Sequence, residues 1–331
     1  MRLLIGIGLI SLFLTSVFAH EQWLISSQSV NDLSQLTPPL MFSQWNFLNA
    51  SLSLFALFVL LFWIYINHVT YPRLIKRTNL VAIEWSVFSL RLWLGLMLIL
   101  SSYGLLPMAG IPPLKEPTLF ASDLLIGSLP PIWVFLQKLE LWMGVFFVIG
   151  LFIRLNALLL FLLIGLALYW FGLGMMQYAG FYFGICLFLI INGKEKEYID
   201  PKKLDLAPLS LGLLQLLTGL NFIYSAIIIK WMQPNIDIFL LRQAHAFTFG
   251  LSYPVFTFIL LLVEIIMGFL FILGWHLRYI SIIFLLLFIL MSINLSENLL
   301  AHCFLYGIFS VFIILDGYPL SMLVRKYKKY F

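Results

Sequence analysis

The chain has 331 residues, 63% of them hydrophobic and 10% charged, with a mean hydropathy of +1.05. A soluble domain of this length cannot hide so much apolar surface, so the composition excludes a soluble enzyme and describes an all-α polytopic membrane protein in a lipid bilayer. The net charge of +5 forms no basic stripe with interleaved aromatics, which sets nucleic-acid binding aside.

Residues 1–19 read as a secretory signal peptide. Arg2 supplies the positive start, Leu3 to Leu14 the apolar core, and Val17 and Ala19 flank Phe18 as a small-residue cleavage site. Cleavage after Ala19 would leave His20 as the mature amino terminus; without cleavage the segment would be a first helix. Residues 20–46 are polar and mixed, a periplasmic segment too short for a domain. Nine hydrophobic spans are predicted after it, near 47–68, 84–107, 132–153, 155–172, 174–192, 208–230, 254–275, 278–295 and 298–316. Trp45, Trp63, Trp85, Trp133 and Trp231 fall near span ends, as interfacial anchors do.

Basic residues orient the spans. Arg73, Lys76 and Arg77 follow the first, Arg154 and Arg278 sit at the turns after the third and seventh, Lys194, Lys196, Lys202 and Lys203 follow the fifth, and Arg325, Lys326, Lys328 and Lys329 close the chain. With nine spans and an exported amino terminus, all of these lie on the cytoplasmic side, as expected for a bacterial inner-membrane protein with a cytoplasmic carboxyl terminus. The loops at 108–131 and 231–253 fall outside and are poor in Lys and Arg.

One spaced pattern occurs twice. Glu140, Met143, Gly144, Gly150 and Arg154 return 124 residues later as Glu264, Met267, Gly268, Gly274 and Arg278. At the same offset Leu90, Leu92 and Gly95 match Leu214, Leu216 and Gly219, and Asn192-Gly193 matches Asp316-Gly317. An acid inside a span is expensive, so its return in register marks a duplicated unit. Four spans per copy make the two repeats parallel. The organisation expected is an extra transmembrane helix and loop over 47–83, a first four-helix repeat over 84–207, and a second, with a basic cytoplasmic tail, over 208–331.

The second unit carries Leu214-Gln215-Leu216-Leu217-Thr218-Gly219, Phe222-Ile223-Tyr224-Ser225-Ala226 and Lys230 before Pro234. It then carries Glu264-Ile265-Ile266-Met267-Gly268 and Leu273-Gly274-Trp275-His276-Leu277-Arg278. These residues resemble the DoxX/DoxD-like family of four-helix membrane proteins, marked by a helix with Glu, a following Gly and a Gly-x-x-x-Arg turn. The first unit, with Arg91 to Gly95 and Glu140 to Arg154, resembles a more diverged copy, and the likeness covers roughly residues 84–320. It implies association with respiratory or redox membrane complexes, including a subunit of thiosulfate:quinone oxidoreductase. The chain departs from the usual single unit in its signal-like start, extra span and second copy.

Chemistry centres on the two acids. On one straight helix Glu140 and Arg154 would lie roughly 21 Å apart, so each Glu needs another partner. Arg91 and Lys138 are available to Glu140, whereas Gln215 and Leu262 occupy the matching places in the second unit. The expectation is an ion pair in the first unit and a hydrogen-bonded acid in the second. Glu140 and Glu264, with Arg91 and Gln215, would line a cavity handling protons, a quinone head or a polar solute. The alternative is that the acids only hold helices together, with Gly144 and Gly268 letting backbones approach. Gly150, Arg154, Gly274 and Arg278 read as turn and interface residues.

His20, His302 and Glu297, with His245 and several Met residues, form a second candidate, since imidazole and thioether suit copper; no HxxxH or CxxC spacing ties them together. Cys186 and Cys303 lie far apart in apolar runs. With no P-loop, dinucleotide fingerprint, haem CxxCH or nucleophile elbow, any electrons must come from a redox partner protein. Three functions stay open: a quinone-linked accessory component, a transporter or copper-handling protein, and a scaffold.

Overall fold

The computed structural model describes residues 32–33, 35–70, 80–106, 117–121, 124–193, 206–294 and 299–318. Among these residues a single turn, Leu40–Ser43, precedes ten helices: α1 Phe47–Thr70, α2 Leu80–Ser102, α3 Phe135–Ile149, α4 Ile153–Phe171, α5 Leu173–Asn192, α6 Ala207–Ser225, α7 Pro234–Gln243, α8 Tyr253–Leu273, α9 Leu277–Asn294 and α10 Cys303–Leu315. Among the described residues eight helices are long and apolar enough to cross a bilayer, and a shorter apolar one covers Leu299–Leu315. The protein is therefore an all-helical, polytopic integral membrane protein. The predicted signal segment, the cytoplasmic loops and the basic tail lie outside the described residues.

Glycine ends the third and seventh predicted spans earlier than hydropathy alone places them. Gly150 (φ +85°) and Gly274 (φ +76°) take the left-handed conformation that stops α3 and α8, each donating its N–H back to the helix. Two residues on, Phe152 (φ +49°) and His276 (φ +51°) are left-handed as well, an uncommon state for a side-chain-bearing residue. Arg154 and Arg278 are consequently the second residues of α4 and α9, on different helices from their glutamates.

The predicted loop 231–253 holds a helix, α7. Pro234 stands at its start, Asp237 in its first turn and Arg242 in its last, an arrangement that suits proline at N1 and the helix dipole. The helix is too short and polar to register as a span. Just before it, α6 continues through a π-helical stretch, Ala226–Trp231. One residue inserted into an α-helix rotates the remaining turns by about 100°.

Helix α2 packs on α3, and α6 on α8. Both crossings use paired glycines. A Cβ on Gly144 would lie 2.9 Å from the Gly95 carbonyl oxygen, and one on Gly268 2.7 Å from that of Gly219. Only glycine allows backbones this close, and in a membrane such contact replaces the hydrophobic effect as the force between helices. Helix α4 packs on α5, and α9 on α10.

Two further contacts join residues 80–193 to residues 206–318: α5 against α6, and α10 against α2. Asn221 fastens the first, accepting from the Gly180 N–H at 2.9 Å and donating to the Gln177 carbonyl. Asn192 Nδ2 donates to Ser210 Oγ at 2.6 Å in the same interface, and Ser89 and Ser310 hydroxyls meet at 2.7 Å in the other. Between the halves the core is aromatic, with Phe181, Phe222, Phe271, Phe304, Phe309 and Tyr182 in ring-to-ring contact. By contrast α1 is peripheral: only 11% of its span is buried, and it leans on α8. Asn49 Nδ2 pins its start by donating to the Met41 and Gln44 carbonyls.

Candidate functional site

The two glutamates of the repeated pattern occupy different environments. Glu140 on α3 is fully buried. Its Oε1 accepts the backbone N–H of Phe120 at 2.8 Å. Phe120 belongs to the segment between α2 and α3, and its carbonyl accepts the Tyr182 hydroxyl of α5. The same segment is tied down by Thr118, whose hydroxyl meets that of Ser101 at 2.7 Å. Glu140 thus fastens a connecting segment over the end of the bundle.

Neither partner expected for Glu140 reaches it. Lys138 is exposed, because residues two apart on a helix point about 200° apart. Arg91 lies nearer the other end of α3, where its Nη1 donates to the carbonyls of Phe147 and Val148 at 2.7 Å and its guanidinium stacks on Phe88, 5.0 Å from the ring centre. It covers the end of the helix beside Gly150, where a Cβ would lie 2.5 Å from that Nη1. Gln215 covers Gly274 in the same way, exchanging hydrogen bonds with the backbone of Tyr318 (2.7 and 3.0 Å). Both residues close helix ends rather than face the acids.

The ion pair lies in the second half instead. Glu264 Oε1 is 3.0 Å from Lys230 Nζ, and Lys230 is 3.5 Å from Asp237 Oδ2. Lys230 stands on the π-helical stretch and Asp237 on α7, so the cluster joins the two irregular features of this end to α8. All three side chains are largely buried, at 14%, 13% and 21% exposure for Lys230, Asp237 and Glu264.

Glu264 also lines a cavity of about 70 Å3 between the halves. Phe181, Phe222, Phe288 and Phe304 form aromatic walls, and Gln177, Tyr178, Ser225 and His302 contribute polar groups. Lining residues come in pairs at the repeat spacing: Gln177 with Ala301, Tyr178 with His302, Phe181 with Leu305. Ala121, one residue beyond Phe120, closes the side towards Glu140. Two buried acceptors, Gln177 Oε1 and Glu264 Oε2, have no hydrogen-bond partner among the described residues.

Arg278 caps α10: Nε donates to the Ile313 carbonyl, Nη2 to that of Ile314, and its backbone N–H to Asp316 Oδ1. Arg154 starts α4 at the matching place, and its Nε is buried with no hydrogen-bond partner among the described residues. Of the copper candidates, His302 borders the cavity with its ring 5.8 Å from Phe288, while His20 and Glu297 lie outside the described residues. Among the described residues no three His, Cys, Asp or Glu side chains come together as a metal site.

Sequence reasoning missed Lys230, Asp237, Phe120 and Gln177. Lys230 did leave a signal: it is a cation where the orientation rule leaves few, and it precedes a proline-started helix carrying an acid. Phe120 left none, because it acts through its backbone. Comparison with family models, curated proteins and solved structures finds no match for this chain.

Proposed function

We propose that the protein is a DoxX-like accessory component of a quinone-linked redox assembly in the bacterial inner membrane. It is built from two parallel copies of a four-helix unit after an extra first span, nine spans in all, and it holds a quinone-type ring head in the cleft between them. Supporting the duplication, several features of one half have a mate at the repeat spacing: the glycine crossings, the Gly150 and Gly274 helix ends, the left-handed Phe152 and His276, and the covers Arg91 and Gln215. The crossed packing of α5 on α6 and α10 on α2 supports an axis of pseudo-symmetry running through the cavity. The distribution of Lys and Arg supports a periplasmic amino terminus and a cytoplasmic carboxyl terminus.

One observation carries the ligand reading: four phenylalanine rings enclose a small space into which Glu264 projects beside His302 and Ser225. Flat rings suit a flat ring, and the few polar groups suit oxygens at its edge. At about 70 Å3 the space is far below the roughly 300–1,000 Å3 of drug-sized sites, which excludes a nucleotide or fused cofactor; it is about half the roughly 150 Å3 that benzene fills, so a ring head enters only as the phenylalanine walls part. With no cofactor motif in the chain, electrons would pass to and from a partner.

The test is solvent extraction of the protein purified in native lipid particles, with quinone analysis of the extract. Retained quinone is expected near one per chain. It should be lost in Glu264→Leu and His302→Ala, with helix content unchanged by circular dichroism. Absence of quinone, together with no binding of an added short-chain quinone, would overturn the reading, and uptake of a polar solute by proteoliposomes would replace it with transport.

A further inference from the structure

We infer that the cleft selects a head group that donates hydrogen bonds, so that it holds a hydroquinone in preference to the oxidised quinone. This rests on the quinone-type reading and adds to it the redox form.

Two acceptors border the cavity with nothing among the described residues to donate to them. Gln177 is only 4% exposed, lines the cavity, and leaves its Oε1 without a partner. Glu264 Oε2 is buried and unmatched, because Lys230 sits on the other carboxylate oxygen. A buried acceptor left unmet is costly, so a ligand gains by supplying a donor there. Oxidised quinone offers only carbonyl oxygens, which accept; facing one towards Glu264 Oε2 sets lone pairs against lone pairs. Hydroquinone offers two O–H donors. The hydroxyls of Ser225 and Tyr178, the imidazole of His302 and the amide of Gln177 donate or accept and so do not discriminate.

The chain supplies its own precedent. At the matching place in the first half, Glu140 is met by a neutral donor, the Phe120 N–H, delivered by the connecting segment. In the second half the corresponding acid opens onto the cavity instead.

Calorimetric titration of the wild-type protein in lipid nanodiscs, under anaerobic reducing conditions where needed, tests this with three probes: a short-chain benzoquinone, its hydroquinone, and the hydroquinone dimethyl ether. Hydroquinone is expected to bind at least about tenfold tighter than either of the others, since each lacks the donors. Glu264→Gln, which puts an NH2 donor where the carboxylate only accepts, should bring that ratio towards one. Equal or tighter binding of the quinone or the ether would overturn the inference while leaving the quinone-type site standing. Failure of all three probes to bind would remove both.

Discussion

Removing Lys230 should unsettle this protein more than removing either acid it serves. At 3.0 Å and an effective dielectric near 20, the attraction between Lys230 and Glu264 is about 5 kcal/mol before the cost of dehydrating both groups. That cost makes the pair's net worth small, but it also means that Lys230→Met strands the buried Glu264 carboxylate and takes a cation from beside Asp237. Stranding a buried charge costs roughly 3–5 kcal/mol, and the partial exposure of these side chains places the loss near 3. Glu264→Gln leaves Lys230 paired with Asp237 and should cost under about 1 kcal/mol. Adding Glu264→Gln to Lys230→Met should recover at least half of the loss. Unfolding by titration with sodium dodecyl sulfate in mixed micelles, monitored by circular dichroism, measures each variant. A Lys230→Met protein within about 0.5 kcal/mol of wild type, or a Glu264→Gln protein equally damaged, would refute the buried-charge account.

The glycine crossings and the helix covers allow two more measurements by the same titration. Gly268→Val should destabilise by about 1–3 kcal/mol, since even its Cβ would lie 2.5 Å from Ile223 Cγ1 and 2.7 Å from the Gly219 oxygen; Gly165→Ala, with nothing within 4 Å, should be neutral or slightly stabilising. Arg91→Met should cost about 1–3 kcal/mol by leaving the Phe147 and Val148 carbonyls unmet, and Arg91→Gln, which borrows the side chain used at position 215, should cost less.

Hydropathy is a one-dimensional signal, and what depends on it was legible. Apolar runs locate the long helices to within a few residues; where they overshoot, at Gly150 and Gly274, a backbone turn had intervened inside a run that stays apolar. Helix α7 was hidden for the opposite reason, being short and polar, although Pro234, Asp237 and Arg242 mark its ends in the sequence. Partners across helices were not legible. Arg91 and Lys138 stood out as partners for Glu140, but one lies at the far end of α3 and the other on its exposed side. Lys230 reaches Glu264 from a π-helical stretch that no spacing rule foretells, and Phe120 contributes a main-chain amide that any residue but proline carries. The repeat made both acids look alike because identity at matched positions carries no information about what inserts between the helices.

That difference is open to direct measurement. Glu140→Leu removes the acceptor for the Phe120 N–H and should cost about 1–3 kcal/mol, while Glu140→Gln keeps a carbonyl oxygen there and should cost about 1 or less. Glu140 does not line the cavity, so Glu140→Gln should leave the affinity for a short-chain hydroquinone within about twofold of wild type. Glu264→Gln perturbs stability little but places an amide where the cavity offers a carboxylate, and should weaken the same ligand about tenfold. The two substitutions are chemically identical and 124 residues apart, so any shared effect of losing a buried acid cancels in the comparison. If both weaken the ligand equally, the connecting segment does not close off Glu140, and the two halves act as equivalent sides of one site. If only Glu264 matters, one occurrence of the motif holds the bundle together and the other meets the ligand.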